Sequence, residues 1–123
     1  MIIGIDPGFK GAVANLDIKG NLISITDIPS YTIVKPTRVS ILKKNQVVNG
    51  PKTKMVNKSK SHLDNKQLFI DIKQSDSIMV ETVAAMPGQG SSSMFSFGKV
   101  YGGILAIADN KTDNLCHVRP NRS

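Results

Sequence analysis

From Ile78 to Ala108 the chain reads IMVETVAAMPGQGSSSMFSFGKVYGGILAIA and changes character twice. Ser77 to Val80 is a short, mostly apolar run that closes on the carboxylate Glu81, the pattern of a buried strand whose last residue emerges at a sheet edge. Pro87, Gly88 and Gly90 then interrupt regular structure. From Ser93 onward Met94, Phe97, Tyr101, Ile104, Leu105 and Ala108 recur three and four residues apart, which predicts a helix of about four turns with one apolar stripe. Strand, glycine-rich loop and helix in this order point to an α/β fold.

In an open α/β sheet, ligands gather outside the carboxyl ends of the strands. Glu81 is therefore a site candidate, with a solvated strand end as the plainer alternative. A second acid has the same placement: Ile2, Ile3 and Ile5 lead to Asp6, followed by Pro7 and Gly8, and an extended run resumes through Ala12, Val13, Ala14 and Leu16. Two carboxylates held side by side repel each other unless a cation lies between them, which suggests magnesium or manganese. Asp6 equally suits the first position of an Asp-Pro-Gly turn. The residues alone leave both readings open.

Gly4-Ile5-Asp6-Pro7-Gly8 with Gly11-Ala12, and Glu81 with Met86-Pro87-Gly88-Gln89-Gly90 and Ser93-Met94-Phe95-Ser96-Phe97-Gly98, together resemble the RuvC-type Holliday junction resolvases, crossover junction endodeoxyribonucleases, and especially their phage-like members. The similarity covers roughly residues 1 to 28 and 77 to 120, with a looser middle. The second block is the more specific, because an opening such as Gly-Ile-Asp-Pro-Gly also suits sugar kinases and other ribonuclease H-like proteins.

The resemblance implies a ribonuclease H-like fold and hydrolysis of a phosphodiester in branched DNA by two divalent ions, Mg2+ or Mn2+, held by carboxylates. On that reading Asp6 bridges the metals and Glu81 binds one. The loop Met86 to Ser93 lies against the four-way junction, with Gln89, Ser91, Ser92 and Ser93 facing phosphate. Arg119 and Arg122 leave the last strand near the same edge. Thr82 and Ala84 occupy places where related sequences often carry basic or ring-bearing side chains, which weakens the loop's hold on DNA. Phe95 and Phe97 stack on bases or, at helical spacing beside Met94, belong to the core. The resemblance also implies a homodimer; Gly98, Gly102 and Ala106 form a small-residue ridge that packs either on a second copy or on the chain's own sheet.

One small domain accounts for 123 residues with 40% hydrophobic side chains, enough for a single core. No apolar run approaches a membrane span and the amino terminus reads as a strand, so a soluble, cytoplasmic protein is expected. Cys116 stands alone, which excludes an internal disulfide and is most simply a small core residue on the last strand. The formal charge of +7 points to a polyanionic partner.

Taken in order, strands are expected from Ile2 to Asp6, from about Gly11 to Asp17 and from Leu22 to Ile28, the turn between the last two lying at Lys19-Gly20-Asn21. They make an antiparallel meander whose first strand is free to pair with a later parallel one. Residues 30 to 61 read as a basic insertion. Thr32–Val34, Val39–Leu42 and Gln46–Val48 suggest short strands, Lys43-Lys44-Asn45 a turn, and Pro36, Gly50 and Pro51 breaks. Lys35, Arg38, Lys43, Lys44, Lys52, Lys54, Lys58 and Lys60, eight of the sixteen basic residues, meet no acid there. The stretch is either a solvated loop or an arm that tracks phosphates, the chief contacts being Lys35, Arg38, Lys43, Lys44, Lys52 and Lys54.

Ser61 and Asp64 mimic a capping box ahead of a helix from His62 to Gln74. His62 and His117 have no ligand-spaced partner and are read as non-catalytic. Strand, loop, long helix and a last strand from Leu115 to Val118 complete a mixed five-stranded sheet with flanking helices, the ribonuclease H-like order without its last helix. That helix carries two further acids in the resolvases, so with Asp6 and Glu81 alone weak metal binding and poor cleavage are expected. Asp109 and Asp113 cannot substitute, because a helix of about sixteen residues rises about 24 Å and carries them to the far edge of the sheet. A non-catalytic junction-binding module and, with less room in the chain, a kinase or ATPase phosphate-binding fragment are the alternatives.

Overall fold

Ile3 and Ile5 alternate with Gly4 and Asp6 along β1 (Ile2–Asp6), and Ile78 and Val80 alternate with Met79 and Glu81 along β6 (Ser77–Glu81). The four aliphatic side chains are 3% exposed or less, so each strand turns one face to the core, as a period of two requires. The computed structural model describes residues 1–42, 50, 52–83 and 90–119. They fall into two compact units, Met1–Ser30 with Leu63–Ser123, and Tyr31–His62.

The first unit is a mixed five-stranded sheet with two helices, an α/β fold. β2 (Ala12–Leu16) and β3 (Leu22–Asp27) continue antiparallel from β1, while β6 and β7 (Leu115–Val118) run parallel to it, in the order β3-β2-β1-β6-β7. The β2–β3 turn is closed by Asp17, whose carboxylate accepts hydrogen bonds from the Lys19 and Asn21 backbone N–H groups and the Asn21 side chain. These bonds hold its pKa below the ordinary value, the Asn21 backbone first.

Helix α1 (Asn65–Asp71) is shorter than expected and begins later. Asp64 is its N-cap, accepting from the Gln67 backbone N–H at 3.1 Å, whereas Ser61, His62 and Leu63 end strand β5 (Thr53–Leu63). Helix α2 (Ser91–Lys111) is longer than the spacing from Ser93 predicts, because Ser91 and Ser92 join its first turn and the helix runs on past Ala108 to Lys111. Val100, Ile104 and Ala108, four residues apart, bury with Leu68 and Ile72 against Ile3, Ile5, Ile78 and Val80. Each fully buried aliphatic contributes on the order of 1.5–3 kcal/mol. α2 approaches α1 closely at Gly103, where a Cβ would lie 3.1 Å from Asn65 Oδ1 and Leu63 Cδ2.

The other small residues of α2 do not pack inward. Gly98, Gly102 and Ala106 are exposed, and a Cβ at either glycine would meet none of the described residues within 4 Å. Packing of this ridge on the chain's own sheet is therefore ruled out. Cys116 is half-buried on β7 and lies outside the core cluster.

The second unit departs most from expectation. Instead of short strands broken at Pro36, two strands of 11 residues each, β4 (Ser30–Ser40) and β5, form a separate two-stranded ribbon. Tyr31 stacks on His62 with ring centroids 5.4 Å apart, and at the other end the Ile41 N–H donates to the Lys52 carbonyl. From Tyr31 to Ile41 and from His62 back to Lys52 the chain advances by the same number of residues, so one register fits both ends. In that register the odd-numbered residues of β4 make the ladder bonds, and Pro36, which has no N–H to give, falls on the outward side. The expected turn at Lys43-Lys44-Asn45, the strand Gln46–Val48 and the break at Pro51 lie outside the described residues.

Candidate functional site

The parallel register of β1 and β6 sets Ile5 beside Val80, and the next residues in phase are Asp6 and Glu81. Neighbouring strands lie about 4.8 Å apart, so the two acids sit side by side at the carboxyl ends of adjacent central strands. Their parity turns them away from Ile5 and Val80 and hence from the helix-covered face. Asp6 is exposed and Glu81 half-buried.

The loop after Asp6 explains the glycines that follow it. Gly8 has φ +123°, a backbone conformation that side chains disfavour. Gly11 donates its N–H to the Gly8 carbonyl at 3.2 Å, and a Cβ built on it would overlap the Asp6 carbonyl oxygen. Any side chain at 11 must push the Asp6 backbone aside. The Gly-Ile-Asp-Pro-Gly opening and Gly11 thus form one device that fixes the first carboxylate.

β7 closes the same edge. Val118 pairs with Glu81, the Thr82 N–H donates to the Val118 carbonyl at 2.7 Å, and Arg119 follows, exposed. Pairing continues across the sheet from Asp6 to Ala12 and from Ala12 to Asp27, which sets a third acid in the same row, two strands from Asp6. Sequence reasoning gives Asp27 no role, and only the hairpin register between β2 and β3 could have disclosed it. Two strand spacings from Asp6 and three from Glu81, it adds negative potential without sharing an ion with the pair. Asp109 and Asp113 belong to the opposite edge, where the Ser75 N–H donates to the Lys111 carbonyl and the Ile78 N–H to the Asn114 carbonyl.

Ser91, Ser92 and Ser93 form the exposed first turn of α2 rather than the end of a loop. Gly90 caps the helix without a side-chain bond, so the first amides face outward. Phe95 is 70% exposed and therefore not a core residue, with Lys99 Nζ 5.9 Å from its ring. Phe97 is half-buried and stacks on Tyr101; Met94, expected in the stripe, is exposed. Gln89 and Arg122 lie outside the described residues, as do residues 86–88 of the Met86–Ser93 loop.

Two hard carboxylate oxygen donors fit an ion of the magnesium or manganese class. Among the described residues no group of three or more His, Cys, Asp or Glu side chains is placed to hold a metal. His62 stacks on Tyr31 and His117 is exposed on β7.

In the ribbon, Lys35, Arg38, Lys52 and Lys54 are all exposed. Arg38 donates to the Thr53 hydroxyl at 3.1 Å. Lys43 and Lys44 lie outside the described residues. The unit Tyr31–His62 holds eight basic residues and no acid, a formal +8, while the rest of the chain has eight basic residues against nine acids, a formal −1. Among the described residues no helix is long and apolar enough to cross a membrane. No family model matches the sequence, and no curated protein matches it.

Proposed function

We propose that this chain is a divalent-metal-dependent endonuclease of the RuvC-type Holliday junction resolvase kind, built on a ribonuclease H-like sheet and acting on branched DNA as a homodimer. The observation that carries the reading is the placement of Asp6 and Glu81 side by side at the carboxyl ends of adjacent parallel strands. An antiparallel meander leading into two parallel strands, in the order β3-β2-β1-β6-β7, supports the fold named here. The resemblance at Gly4 to Ala12 and at Glu81 to Gly98 supports the reaction.

Asp6 and Glu81 would hold the ions, Mg2+ or Mn2+, which supply an activated water and charge neutralisation at the phosphate. The chain's own parts have separable tasks. Gly8 and Gly11 hold the Asp6 backbone against the carboxyl end of β1. Arg119 leaves β7 beside Glu81 and neutralises phosphate near the acids. Ser91, Ser92 and Ser93 offer hydroxyls and first-turn amides to phosphate oxygens, and exposed Phe95 offers a ring on which a base can stack. The ribbon contributes sequence-independent attraction through Lys35, Lys52 and Lys54.

A second reading, a junction-binding module without catalysis, is favoured by the pair's lack of a third acid within reach among the described residues. Cleavage of a labelled synthetic four-way junction with magnesium or manganese decides between them. Symmetric nicking that Asp6→Asn and Glu81→Gln each abolish establishes the nuclease. Tight junction binding with no nicking at any metal concentration establishes the module.

A further inference from the structure

Side chains alternate along both strands of the ribbon, so the Tyr31–His62 stack assigns its faces: odd-numbered residues of β4 share a face with even-numbered residues of β5. Lys35 on β4 and Lys54, Lys58 and Lys60 on β5 all belong to that face. Lys52, opposite Ile41, is in phase with them. Every described lysine of the unit therefore lies on one face. The other carries Arg38, held to Thr53, together with Thr32, Met55, Asn57, Ser59 and Ser61.

A ribbon charged merely for solubility would scatter lysines over both faces and mix them with acids. This one segregates them and has no acid anywhere from Tyr31 to His62. The shared register also sets Lys35 directly opposite Lys58. Like charges so placed destabilise a two-stranded pair, and such a pair is marginal in water to begin with. An extended anion laid along the face removes that repulsion.

We infer that the lysine face of the β4–β5 ribbon is a contact surface for the phosphate backbone of duplex DNA. Lys54 and Lys60 stand about 20 Å apart along one strand, which exceeds the roughly 12 Å width of the major groove and reaches phosphates on both of its walls. The inference deepens the reading of DNA as substrate; it does not depend on cleavage.

The test is fluorescence anisotropy of a labelled duplex of about 20 base pairs, two helical turns, and of a four-way junction, in EDTA, across a series of salt concentrations. Lys54→Ser, Lys58→Ser and Lys60→Ser together are expected to weaken binding more than about tenfold at about 0.1 M salt and to lower the log–log salt slope by roughly 2.7, at about 0.9 for each phosphate no longer neutralised. The same three substitutions combined with Met55→Lys, Ser59→Lys and Ser61→Lys restore the net charge on the opposite face and are expected not to restore binding. Lys54→Arg, Lys58→Arg and Lys60→Arg are expected to keep it, which separates charge from folding of the ribbon. Lys19→Ala, Lys66→Ala and Lys73→Ala, an equal charge removal from the other unit, are expected to leave the slope unchanged. Full rescue by the face-exchanged variant, an unchanged slope in the triple Ser variant, or equal affinity for phosphatidylserine vesicles would each overturn the inference. Because EDTA suppresses cleavage, failure here leaves the nuclease assay standing, and the reverse also holds.

Discussion

The sheet unit and the ribbon are made of the same chain and held by opposite means. All twelve buried hydrophobic residues of the described chain, from Ile3 to Ala108, belong to the sheet unit, which is nearly neutral. The ribbon strands, of 11 residues each, are longer than any strand of the sheet. Yet among the described residues between Tyr31 and His62 no side chain is buried, and that unit carries a formal +8. Strand length thus says little about what a strand is for. In the sheet it delivers two acids to an edge; in the ribbon it spaces cations along a surface, at a cost in stability that burial elsewhere must offset.

The largest effects should come from the core. Leu68→Ala or Ile104→Ala, each at a fully buried position, is expected to cost about 2–5 kcal/mol in chemical denaturation. Met55→Ala in the ribbon, where the side chain is 54% exposed, should change stability by less than about 0.5 kcal/mol. A comparable cost at Met55 would break the contrast between the units.

Gly11→Ala sharpens it at the acid edge. The added methyl meets the Asp6 carbonyl, and the forced backbone shift should cost about 1–3 kcal/mol. Manganese affinity, followed by calorimetry, should fall with it, whereas ribbon-dependent duplex binding in EDTA should persist.

A smaller effect separates a free ridge from a covered one. Gly102→Ala should stabilise a monomer by up to about 1 kcal/mol, since nothing blocks the methyl. If the ridge packs on a second copy, as proposed, Gly102→Leu should shift a dimer measured by light scattering toward monomer. A wild-type chain that stays monomeric at high concentration would remove the dimer.

The smallest effect is electrostatic and confined to the β2–β3 turn. The Asp17 carboxyl titrates below its ordinary value of 3.8 because Asn21 donates to it. Its contribution to stability is therefore complete above that value and disappears as pH falls through the lower folded value. Asn21→Ala removes the side-chain bond and keeps the larger backbone one, so the NMR titration of Asp17 should move part of the way upward, and the acid side of the stability profile should lose a matching part of its slope.

Much of the sheet was legible because burial on one face imposes alternation. β1 and β7 have the expected bounds, and Asp6 and Glu81 were legible because each follows an apolar run directly. The ribbon was not, since its alternation is shallow: Ile33, Thr37 and Val39 are only half-buried, the residues between them are exposed, and Lys35 interrupts the apolar set. Pro36 read as a break although only its outward position matters. Asp64 caps α1 in place of the expected Ser61 because β5 extends through Leu63. Met94 fits the expected apolar stripe by spacing yet is exposed, whereas Val100, outside that stripe, is buried with Ile104 and Ala108.

Pro36 has a consequence beyond its own strand. Both long edges of a two-stranded ribbon are unpaired and offer templates on which another chain could add a strand. At the middle of the outer edge of β4 the amide such a strand would need is missing. Along β5, Lys54, Lys58 and Lys60 impose mutual repulsion on any second copy that approaches in register. The ribbon can thus present a long exposed backbone at high concentration without seeding its own polymer, which leaves the lysine face open to a ligand of opposite charge.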